Sequence, residues 1–218
     1  MSVFLSLLAK FSALCIALSV HEWAHAYIAY KQGDSTAKIM GRMTLAPFAH
    51  FDLWGFLSLF FLGFGWAKPV PVDLRNFKNV KKSNFLVSIA GVVANLITGT
   101  AFIIISCALN TFVPDYAIAW GAYGYCLQLF LSIVVQLNFV LAFFNILPIY
   151  PLDGFRIIEN FAKPNNAFVN FMRKYSRIIL IVLVILLGIA VDYYLSFTAG
   201  NLIIWLTNAF NYLFGLMV

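Results

Sequence analysis

The chain has 218 residues, of which 63% are hydrophobic, 17% aromatic and only 10% charged, with a mean hydropathy of +0.92 and a formal charge of +6. This composition excludes a soluble globular domain and is that of an integral membrane protein embedded in a lipid bilayer. The 14 Lys and Arg are scattered through short loops beside apolar runs, a pattern that fits orientation in a bilayer and argues against a nucleic-acid partner.

Length and hydropathy predict membrane helices over about 3–31, 84–109, 118–148, 177–196 and 199–217, each able to cross about 30 Å of hydrocarbon. The first has no basic segment before it and no small-residue cleavage pattern, so it is expected to be retained rather than removed as a signal peptide. After it, Ala37 to Leu45 partly alternates apolar and polar residues around Gly41, as a short β-hairpin would. A strand edge at membrane depth is costly unless protein or an extended peptide covers it. The run Leu53 to Ala67 is only about 15 residues long and carries Gly55, Gly63 and Gly65, which suits a re-entrant segment better than a span.

The expected architecture is therefore an all-α polytopic membrane protein of about five transmembrane helices, six if 53–67 spans, with a short re-entrant and β-hairpin element after helix 1. It forms a single membrane-embedded domain over 1–218, with a core at about 1–156 and C-terminal helices at about 177–217. If 53–67 dips in and returns, the basic loops after helix 1, after the re-entrant run and after helix 3 share one side. Then 13 of the 14 basic residues are cytoplasmic, with Lys10 the exception, and the N-terminus is outside. Cys15, Cys107 and Cys126 are odd in number and lack CxxC spacing, which argues against a disulfide framework.

His21, Glu22 and His25 form an HExxH motif within the first apolar helix. One helical turn places both imidazoles on the same face, within reach of one tetrahedral Zn²⁺, and Glu22 stands beside the first ligand as a general base. A histidine in an apolar helix is more often a packing residue than a ligand. Here, however, two of three histidines and one of two glutamates fall within five positions of a membrane helix, where ionisable groups are expensive.

A catalytic zinc usually takes three protein ligands. Asp153, in Asn145-Ile146-Leu147-Pro148-Ile149-Tyr150-Pro151-Leu152-Asp153-Gly154, closes a long run otherwise free of acids. Alone it would read as a turn residue beside Gly154; beside a two-histidine site it is the candidate third ligand. Pro148 and Pro151 should unwind the end of helix 3 and let the aspartate turn inward. Asn95 and Asn145 are amides in apolar helices: either could bond between helices, and Asn145, sharing a segment with Asp153, is the better candidate for a substrate carbonyl or oxyanion. His50 and Asp52 lie beside the re-entrant run, where surface pairing competes with a supporting role behind the metal ligands.

These segments together closely resemble the site-2 protease family of intramembrane zinc metalloproteases, in particular its small prokaryotic members. The resemblance runs through His21-Glu22-Trp23-Ala24-His25, Gly41-Arg42-Met43-Thr44-Leu45 to His50 and Asp52, Gly65-Trp66-Ala67-Lys68-Pro69-Val70-Pro71-Val72, Ala90-Gly91 to Asn95, and Asn145 to Gly154. It implies one Zn²⁺ per chain held by His21, His25 and Asp153, Glu22 as the base, and Asn145 as an aid to substrate or oxyanion binding. It also implies cleavage of transmembrane substrates near the cytoplasmic face of a bacterial inner membrane, releasing tethered regulators or clearing remnant signal peptides. Val92, Ala46 and Trp54 stand where the family often has proline, asparagine and proline, departures that bear on loop geometry and substrate choice and remove no ligand.

Two rival readings use the same residues. A metal-handling membrane transporter would need the histidines and Asp153 but gives Glu22 no necessary role. A catalytically silent homologue that binds membrane helices leaves the complete set of ligands and base without a purpose.

Overall fold

The computed structural model describes residues 3–55, 67–113 and 115–190, and among them every regular element is helical. Helix α1 spans Val3–Lys31, α2 Thr36–Ile39, α3 Val80–Phe112, α4 Tyr116–Ala119, α5 Gly121–Asn145, α6 Asp153–Phe161 and α7 Ala167–Ala190, with single 3₁₀ turns at Pro47–His50 and Leu74–Asn76. Three of the described helices, α1, α3 and α5, are long and apolar enough to cross a membrane. With 29, 33 and 25 residues at about 1.5 Å per residue, each exceeds the hydrocarbon thickness.

These three pack on one another in every pairwise combination, and small residues let them approach. Ala9, Ala13, Ala17 and Ala24 are buried along α1. A Cβ added to Gly99 of α3 would lie 2.9 Å from the Phe139 ring of α5. Between helices whose outer faces are as apolar as lipid, close van der Waals packing of this kind supplies the cohesion. The faces turned away carry exposed Phe4, Leu7, Ile97 and Ile104.

Helix boundaries follow local chemistry. The Asn79 side chain accepts from Lys82 N–H at 3.1 Å and caps α3. α5 stops at Asn145, three residues before Pro148, and the chain turns through residues 146–152 to deliver Asp153 at the start of α6. Arg173 of α7 pairs with Glu159 of α6, Nε to Oε1 at 2.9 Å.

The expected hairpin at 37–45 is not a strand pair. Asp34 accepts from the Thr36 amide at 3.0 Å and starts the short helix α2, after which Met40 and Arg42 amides bond back to Thr36 and Ala37 carbonyls at 3.1 and 2.8 Å. Gly41, at φ +67°, completes the turn. Local side-chain and backbone acceptors thus take the donors that a ladder would have used. Expected helices at 84–109 and 118–148 correspond to α3 and α5, and α7 overlaps the one expected at 177–196. The 199–217 helix, and residues 56–66 of the re-entrant run, lie outside the described residues.

Candidate metal centre between three helices

The two histidines of HExxH emerge one turn apart on α1, and their Nε2 atoms stand 3.0 Å from each other. Asp153, at the first turn of α6, brings Oδ2 to 3.3 Å from His21 Nε2 and 3.1 Å from His25 Nε2. All three side chains are buried. The PLDG turn therefore closes onto α1 across the bundle and joins two sequence motifs into one cluster.

Each imidazole is oriented from behind. His25 Nδ1 donates to the Val87 carbonyl at 2.7 Å; a carbonyl can only accept, so a proton sits on Nδ1, and in the neutral imidazole Nε2 keeps its lone pair for a metal. His21 Nδ1 donates to Asn95 Oδ1 at 2.8 Å. The Asn95 amide nitrogen in turn donates to Asn138 Oδ1 at 3.1 Å and to the Ala17 carbonyl at 3.4 Å, and Asn138 Nδ2 donates to the Val134 carbonyl at 2.8 Å. Asn95 and Asn138 are both fully enclosed, so this relay across α1, α3 and α5 is satisfied without water.

The donor set fits a zinc ion. Two imidazole lone pairs and a carboxylate oxygen converge, and Asp153 Oδ2 is buried with no hydrogen-bond donor of its own. Ligand atoms held at about 2.0–2.1 Å around a tetrahedral zinc lie about 3.3 Å apart, close to the observed edges of 3.0–3.3 Å.

Two glycines make the cluster possible. A Cβ on Gly91 of α3 would stand 2.5 Å from both His21 Cε1 and His25 Nε2, so the α3 backbone walls one side of the site. A Cβ on Gly154 would run into the Ile146 and Leu147 carbonyl oxygens, so the residue after Asp153 must be glycine for α6 to start against the end of α5.

Glu22 lies between the two histidines in sequence and is held by the backbone of another segment. Its Oε2 accepts from the Val70 N–H at 2.9 Å, which ties it to the extended Lys68–Val72 stretch. Asn145 Nδ2 donates to the Leu141 carbonyl within its own helix at 3.0 Å, at the end of α5 and outside the histidine relay. His50 is buried with Nε2 on the Thr44 carbonyl at 2.7 Å, and Asp52 accepts from Gly55 N–H at 2.8 Å; these bonds stay within their loop. Asn138, the Val87 carbonyl and the close approach at Gly91 were not among the sequence candidates. Asn138 carries the signal that marked Asn95, an amide in an apolar helix.

Comparison with known proteins places this centre in context. The family model described as Peptidase family M50 matches residues 117–188. Relatives named "Putative zinc metalloprotease" include YwhC of Bacillus subtilis, 42% identical over 171 residues that cover 78% of this chain and 77% of YwhC. Rip2 of Mycobacterium tuberculosis is 28% identical over 153 residues, 68% of this chain, and the match spans 55% of Rip2. Rip2 of Mycolicibacterium smegmatis is 28% identical over 154 residues, with the same two coverages. No solved structure matches the chain. The extent and identity of the match to YwhC, together with the family model, show that the chain belongs to peptidase family M50, the site-2 protease family of membrane zinc metalloproteases.

Proposed function

We propose that this membrane zinc metalloprotease hydrolyses peptide bonds of transmembrane or membrane-tethered substrates near the cytoplasmic face of a bacterial inner membrane. The observation that carries the reading is the buried triangle of His21 Nε2, His25 Nε2 and Asp153 Oδ2, set among helices that can cross a bilayer. These three side chains hold the metal, within one membrane-embedded domain. Zinc, when bound, supplies Lewis-acid polarisation of a water molecule and of the scissile carbonyl.

Glu22 is the general base. Val70 N–H occupies Oε2 and leaves Oε1 to take the proton of the attacking water and return it to the leaving amine. Asn95 orients His21; Asn145, one segment before Asp153, is the amide available to a substrate carbonyl once it leaves the Leu141 carbonyl. A helical substrate hides its carbonyls in internal bonds and must unwind locally before attack. The basic segments that carry Lys78, Lys81, Lys82, Arg156 and Lys163 face the cytoplasm, a placement that suits regulated release of tethered proteins or clearance of remnant signal peptides.

The test compares membrane-protein fragments in cells that express wild type or Glu22→Gln. Fragments that end within or beside a membrane span should appear with wild type alone. Identical fragment patterns would remove the proteolytic reading.

A further inference from the structure

Residues Lys68-Pro69-Val70-Pro71-Val72 run without helix or strand beside α1. Lys68 and Val70 each precede a proline, which keeps them extended, and the prolines have fixed φ and no N–H. From Pro69 to Pro71, Val70 therefore carries the single backbone donor, and that donor is given to Glu22 Oε2 at 2.9 Å. The Val70 side chain is buried with Ala26, one turn beyond Glu22, and with Ala37. The strap is thus seated on the helix that bears the base.

Arg42 holds the strap. Its buried guanidinium donates from Nη2 to the Lys68 carbonyl at 2.7 Å and, at a longer 3.4 Å, to the Pro69 carbonyl. Pro69 C=O and Val70 N–H are two ends of one peptide plane. A cation on the oxygen end draws electron density from the amide that serves Glu22, and hydrogen bonds in such a chain reinforce one another where the dielectric is low. Arg42 Nε is buried without a partner, a desolvation cost that a loop cation free to reach water would avoid.

We propose that Arg42 is a positioning residue for the general base. Through the Pro69–Val70 peptide it fixes which carboxylate oxygen of Glu22 is engaged and which is presented to water. This rests on the reading of Glu22 as the base. Arginine suits the task because Nη2, held in a rigid charged plane, reaches both neighbouring carbonyls, whereas lysine carries its charge on a flexible stem and glutamine has none.

The experiment uses the full chain in lipid nanodiscs with a quenched fluorogenic single-span peptide selected because wild type cleaves it. Arg42→Gln is expected to lower kcat on the order of tenfold or more, a part of the 10²–10⁴ that a general base contributes, with KM within about twofold. Zinc content and thermal midpoint should stay at wild-type values, and Arg42→Lys should recover part of kcat. Unchanged kcat, an effect on KM alone, or loss of zinc from a folded variant would overturn the proposal. If Arg42→Gln does not fold, Val70→Pro decides: it deletes the N–H in a backbone already extended, and a matching fall in kcat supports the proposal while wild-type kcat refutes it. Failure of both variants to fold would assign the strap to structure alone and overturn it equally. Glu22→Gln separates the two ideas, since turnover retained there removes the base itself.

Discussion

His21 and Asn95 meet across α1 and α3 in a 2.8 Å hydrogen bond from Nδ1 to Oδ1, so the imidazole turned toward the metal cluster is aimed by an amide on another helix. Partners of this kind set tautomer and ring direction, and losing one typically costs 10–100-fold in metal affinity. Asn95→Leu, which keeps the branched shape and removes the acceptor, should weaken zinc binding by about that factor. Competition against a chromophoric chelator measures it, and wild-type affinity would show that His21 needs no such aim.

Gly91→Ala should disturb the same cluster from the opposite side. The added methyl would sit 2.5 Å from His21 Cε1 and His25 Nε2, and relief requires the imidazoles to swing off their present directions or α1 and α3 to part. Overpacking of this type costs about 1–3 kcal/mol. A lower unfolding midpoint and reduced zinc retention are expected, while an unaltered midpoint would mean that the helices are spaced more loosely than described.

The sequence made the two ends of this site readable for local reasons. HExxH needs only one helical turn to align its histidines, and Asp153 stood out as a lone acid after a long apolar run. Helix α5 ended where its prolines required. The partners behind the histidines were harder to read, because α3 and α5 are apolar nearly all round and have no hydrophobic stripe to fix their rotation. Which of Ser88, Gly91, Asn95 or Asn138 faces α1 is decided by packing. The hairpin reading failed because alternation at Ala37–Leu45 is weaker than the Asp34 side chain that starts α2, and because Arg42, which looks like a solvent-facing residue, turns inward to the strap.

Metal removal should loosen the fold. Without a cation, two imidazole lone pairs and the unpartnered Asp153 Oδ2 are left facing one another. A ligand present at about 100 times its dissociation constant stabilises by about 2.7 kcal/mol. Excess chelator should therefore lower the thermal midpoint and added zinc restore it. No shift in either direction would mean that the cluster is not a metal centre.

Acid should weaken the loop that carries Gly33 to Arg42. Burial pushes the Asp34 carboxyl up, but donation from the Thr36 hydroxyl, the Asn76 amide and the Asp73 and Thr36 N–H groups outweighs it and holds the carboxyl below its ordinary value. A folded-state pKa depressed in this way contributes stability that is complete above the unfolded value of about 3.9 and is lost as pH falls through the folded one. Asp34→Asn should lower the midpoint at neutral pH and flatten its decline below about pH 4. Parallel wild-type and variant profiles would exclude Asp34 as the source.

Zinc content of the purified full chain, wild type against Asp153→Ala after dialysis with a chelator, tests most directly that the α6 aspartate completes the HExxH site. One zinc ion per wild-type chain and little or none in a folded Asp153→Ala are expected. Equal zinc in both would contradict the centre described between His21, His25 and Asp153.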